Sequence, residues 1–189
     1  MPLVTRLHQL SLWLLIGVAG TALAADECQL NVSEPLVDFG LMSRLAQDDS
    51  AAERLLGERR LSLSFTCPKA DDMSLFYRAL SANAQRLQLT EHGSYAVEAG
   101  HAVLDGHRVE LGLLPAPGQP PLTSATALDW LPAHGIAPVQ RGAVVTGQNL
   151  SLQLTLRAWA DPAATQVRDA TTWEATGTLY SPQHGRSRE

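Results

Sequence analysis

Between Asn149 and Trp159 the chain reads Asn-Leu-Ser-Leu-Gln-Leu-Thr-Leu-Arg-Ala-Trp, and this strict alternation limits the folds open to it more than any other feature. Successive side chains of a strand point to opposite faces, so Leu150, Leu152, Leu154 and Leu156 form one apolar row, and Ser151, Gln153, Thr155 and Arg157 form a polar one. A half-buried antiparallel strand follows. "RLSLSFTC" repeats the pattern with Leu61, Leu63, Phe65 and Cys67 in phase, and "CQLNV" does so with Cys28, Leu30 and Val32. Shorter strands are expected at "MSLFYRA", "QRLQLT", "SYAVEA", "HAVLDGHRVELGLL" and "TWEATGTLY", which together describe an all-β sandwich.

The Asp-Gly pair in "LDGH", Leu104 to His107, suits a two-residue hairpin turn. It would join a strand near Ala102 to one holding Val109, Leu111 and Leu113. Two stretches break the β pattern. "QDDSAAERLLGERR" offers capping residues at Asp48, Asp49 or Ser50, a helical Ala-Ala-Glu-Arg-Leu-Leu and a stop at Gly57, so one or two helical turns are expected there. Residues 114–138 are rich in Pro and Gly and read as a long excursion between strands, with Trp130 anchoring it to the core rather than standing exposed. Trp159 continues the outward row unless the strand bulges at Ala158.

The first 24 residues have the order of a secretory signal peptide: Arg6, an apolar run from Leu10 to Gly20, then Ala22 to Ala24. The run is too short for a permanent span. Cleavage after Ala24 leaves one domain at residues 25–180 and a polar tail at 181–189. Formal charge is −5, one unit more negative without Arg6, and Lys69 is the one lysine, so a basic nucleic-acid footprint is missing. An oxidising compartment and matched inward phase make Cys28 and Cys67 a disulfide.

His101, Asp105 and His107 could offer two imidazoles and a carboxylate to a metal, but the spacing fits no strong metal pattern and reads as exposed turn residues. "NVS" at Asn31 and "NLS" at Asn149 fit the glycosylation acceptor pattern but fall inside strands. With no G-x-S-x-G, H-E-x-x-H or phosphate-cradling loop, neither an enzyme nor a cofactor is expected.

A cysteine opening the first strand, "VDFG" at Val37 to Gly40, "GERRLSLSFTCP" with the second cysteine, and an alternating strand ending in Tyr180 together resemble the subunits of chaperone-usher pili, and the minor or tip-type pilins in particular. The resemblance implies an immunoglobulin-like sandwich lacking its final strand. A periplasmic chaperone would lend a strand to the resulting groove, and a neighbouring subunit would replace it at the outer-membrane usher. It also implies that Cys28–Cys67 joins the first two strands, and that "TWEATGTLY" borders the groove and pairs with the partner. Trp173, Ala175, Gly177 and Leu179 form one row of that strand, and Glu174, Thr176, Thr178 and Tyr180 the other. Which row faces the groove stays open.

Only two or three residues would precede Cys28 after cleavage, so this subunit is expected to accept a strand without donating one and to end a fibre at the cell surface, where a host receptor becomes a possible partner. The competing expectation is a self-sufficient secreted sandwich that binds a carbohydrate or protein.

Overall fold

The computed structural model describes residues 27–39, 53–160 and 174–182. The chain there is all-β: two antiparallel sheets packed as a sandwich around one core. The strands are β1 (Gln29–Val32), β2 (Arg54–Asp72), β3 (Leu75–Arg78), β4 (Leu87–Thr90), β5 (Gly93–Leu104), β6 (His107–Arg108) and β7 (Glu110–Leu114), then β8 (Thr123–Ala125), β9 (Ala127–Asp129), β10 (Gly135–Gln140), β11 (Ala143–Val144), β12 (Thr146–Ala160) and β13 (Thr178–Tyr180). The first sheet runs β1-β2-β12-β5-β4, with β6 and β9 also on β5. The second runs β13-β3-β10-β7-β8, with β11 on β10.

The alternating rows become the core. Leu61, Leu63, Phe65 and Cys67 of β2 and Leu150, Leu152 and Leu154 of β12 are buried, while Ser62, Ser64 and Ser151 between them are exposed. Full burial of a leucine contributes roughly 1.5–3 kcal/mol, so this pair of strands carries much of the stabilisation. Cys28 and Cys67 are bonded across β1 and β2. In the chain-entropy account a loop of this length, 39 residues, stabilises by about 4 kcal/mol.

Four expectations need correcting. The helical turns do not form where that stretch is described: Arg54 to Arg60 extend β2, with Gly57 opposite Ala158 and Leu55 opposite Trp159. Helix propensity is a weak preference, and a ladder against β12, with one bulge that skips Leu56, overrides it. Residues 47–52 lie outside the described part. "SYAVEA" and "HAVL" are one strand, β5, with a bulge where Ser151 and Gln153 shift register against it. His101, at φ 54, absorbs that bulge.

The Asp105–Gly106 turn forms as expected, Leu104 opposite His107, with both turn residues at positive φ. Its second arm stops at Arg108. Val109 donates its N–H to Ala102 O at 3.1 Å, and the chain crosses to the second sheet, where Leu111 and Leu113 belong to β7.

The Pro-rich excursion holds three strands, of which β10 is central to the second sheet. Pro138 disguised it, since proline donates nothing to a ladder. Its carbonyl accepts from Val145 N at 3.0 Å, so the missing N–H lies on that same edge, in the gap between pairing to β3, which ends at Ile136, and to β11, which begins at Val139. Trp130 is buried as expected, donating Nε1–H to His134 O at 3.0 Å. Trp159 keeps to the outward row under the Arg86 guanidinium, 4.0 Å above its ring.

Candidate functional site

The two flanks of the sandwich are built differently, and the difference locates the candidate site. On one flank the chain itself ties the sheets together: β6 runs into β7 through Val109, and β8 on β7 continues through Thr126 into β9 on β5. Ala102, Leu104, Val109, Leu111 and Trp130 are all buried there. On the opposite flank each sheet ends in a short strand, β1 in the first and β13 in the second. Among the described residues β1 pairs only with β2, and β13 only with β3.

Apolar side chains along this second flank reach the core but stay partly exposed. Cys28, Leu30, Val32, Val37, Phe39 and Leu179 all pack against the main cluster without being buried in it. Val37 and Phe39 follow the Pro35 kink and continue the apolar alternation of β1, with Asp38 between them. Arg59 holds this segment, donating Nε–H to Asp38 O at 3.0 Å and lying 5.7 Å over the Phe39 ring.

β13 fixes which of its rows faces inward. Leu179 lies opposite Tyr77 and packs into the core, whereas Tyr180 lies opposite Phe76 on the outer face, 5.8 Å from that ring and beneath the Arg78 guanidinium. Gly177 belongs to the inward row, and a Cβ there would collide with the Tyr77 hydroxyl. That hydroxyl crosses the sandwich to Tyr95 on β5, oxygen to oxygen 2.9 Å. Burial, and then the bond to Tyr77, push the Tyr95 phenol well above its ordinary value.

Of the residues expected on the partner-binding strand, Leu179 and Tyr180 lie in β13, while Ala175 and Gly177 are exposed and precede it without strand pairing. Trp173 lies outside the described residues, as do the signal segment and most of the polar tail. The sequence reading missed the other lip, Leu30 to Phe39, although the alternation through "VDF" marked it. Edge strands whose backbone groups lack a neighbour are templates for an added strand, so the arrangement can seat an extended segment between β1 and β13.

The histidine cluster disperses. The Asp105 carboxylate accepts backbone N–H groups from Asn149 at 2.8 Å and Gln148 at 3.1 Å, anchoring the irregular start of β12. Among the described residues no group of three or more metal-ligating side chains gathers. The chain matches no known family model, and it matches no curated protein sequence.

Proposed function

We propose that the chain is an exported subunit of a chaperone-usher fimbria, an incomplete immunoglobulin-like sandwich that takes its missing strand from a partner. The observation that carries the proposal is the flank where half-buried apolar residues lie along β1 and β13, two edge strands that have no further neighbour among the described residues. Strand order supports it too. In an immunoglobulin sandwich A, B, E and D share one sheet and C, F and G the other. Here β1-β2-β12-β5 occupy the A-B-E-D positions and β3 and β13 those of C and F. The G position beside β13 is filled by no described strand. β7, β8 and β10, inserted between D and E, extend the second sheet beyond the C position.

Half-buried leucine, valine and phenylalanine beside unpaired strand edges favour either a partner or aggregation. A periplasmic chaperone would supply the first partner strand, and exchange at the usher would replace it with one from another subunit. The test is expression in a periplasm with and without the cognate chaperone. Alone, the protein should aggregate or be degraded; together, a soluble one-to-one complex should form. A stable, cooperatively unfolding monomer obtained without a partner would favour the self-sufficient secreted binding module instead.

A further inference from the structure

The outer face of the first sheet carries a hollow that the strand-accepting flank does not use. It measures about 540 Å³, and its polar lining is Asn31 of β1, Ser33 just beyond it, Ser62 and Ser64 of β2, Ser151 and Gln153 of β12, and His101 of β5, with Val32, Leu63 and Leu152 between them. The serines of β2 and β12 leave the floor low, and Asn31, Gln153 and His101 carry the longer side chains of the lining. The β5 bulge places His101 at this rim, on a residue whose positive φ a straight strand would not adopt.

Two further observations indicate the kind of ligand. Among the described residues the Ser33 hydroxyl accepts from Ser62 N at 3.0 Å, while the side chains of Asn31, Ser62, Ser64, Ser151, Gln153 and His101 make no hydrogen bond within the chain, so hydroxyl, amide and imidazole groups face solvent at the fixed spacing of neighbouring strands. The lining also holds no charged residue. Along the same face Arg157 is engaged with Glu58 at 3.0 Å and Glu98 at 3.3 Å, Arg60 with Glu58 at 3.2 Å, and Asp105 with the backbone of β12. A charged ligand would find no counter-ion in the lining itself, whereas an uncharged polyhydroxylated ring matches donors and acceptors of both senses.

We infer that this hollow is a binding site for an uncharged sugar. It lies on the outside of the sheet, so a strand seated between β1 and β13 leaves it open, and the inference stands whether or not the fimbrial reading does. With no aromatic platform in the lining, binding should be weak, with Kd in the range of about 1–10 mM for a single sugar.

The experiment is a titration followed by backbone amide chemical shifts of the exported chain, in whatever complex keeps it soluble. The probes are galactose, mannose and N-acetylglucosamine, with glucuronic acid as the charged control. At least one neutral sugar should shift amides of Asn31, Ser64, Ser151 and Gln153. Ser64→Ile, which fills the floor with a branched apolar side chain and removes a hydroxyl, should weaken that binding roughly tenfold or more. His101→Gly should weaken it without loss of stability, because glycine accepts the positive φ. Shifts elsewhere, equal binding by both variants, a response to glucuronic acid only, or no response at about 50 mM sugar would each overturn the assignment.

Discussion

The flank where β5 meets β7 and the flank between β1 and β13 draw on the same core, yet only the first is finished by the chain described. At β5 and β7 the crossover through Val109 and the β8–β9 step bring buried side chains to both sheets. Leu111 and Ala102 are almost wholly enclosed. At β1 and β13 the same alternation places Leu30, Val32 and Leu179 on the core, but each remains half-buried. The contrast teaches that apolar alternation specifies a face and not its cover: burial needs a neighbour, and connectivity supplies one on a single flank.

The largest expected effect lies on the closed flank, where Leu111→Ala leaves a cavity that well-fixed neighbours cannot fill. It should cost about 2–5 kcal/mol by denaturant unfolding, with or without a partner. Cys28→Ser releases β1 from β2 and should cost a comparable 2–5 kcal/mol, roughly, while lowering the yield of folded protein. Non-reduced peptide mapping of the wild type should recover the Cys28–Cys67 pair.

Tyr77→Phe leaves the buried Tyr95 hydroxyl without its partner and should cost about 1–3 kcal/mol. Because the folded state holds Tyr95 neutral above the ordinary phenol range, its contribution is complete below about pH 10 and falls as pH rises beyond that. Alkaline unfolding monitored by phenolate absorbance should show that loss, and Tyr95→Phe should make it shallower. Leu179→Ala should cost least in the lone chain, about 1 kcal/mol, and more once a strand is seated beside it. Equal costs for Leu111 and Leu179 in the lone chain would erase the contrast between the flanks.

Much of the fold was legible because alternation is a direct consequence of strand geometry. The rows of β2 and β12, the Asp105–Gly106 turn and the disulfide could all be read from residue order. Strand β10 could not, because Pro138 hides a central strand unless the gap between β3 and β11 is known. Nor could the fate of Arg54 to Gly57 be read, since their helical preference yields to a partner about a hundred residues away. For the candidate site, Leu179 and Tyr180 were legible as members of the last strand, but their facing was not. It is set by Phe76 on one side and the core on the other, through contacts that the local sequence does not encode. The first lip and the Tyr77–Tyr95 bridge were missed for the same reason.

Amide hydrogen exchange, measured on the lone chain under refolding conditions and again with an extended partner strand added, tests the open flank most directly. Thr178 to Tyr180 and Gln29 to Val32 should exchange far faster than the centres of β2 and β12 in the lone chain, and all of them should become protected together when the strand is seated. Edges as protected as β2 and β12 without any partner, or unchanged when the strand is added, would contradict a sandwich left open between β1 and β13.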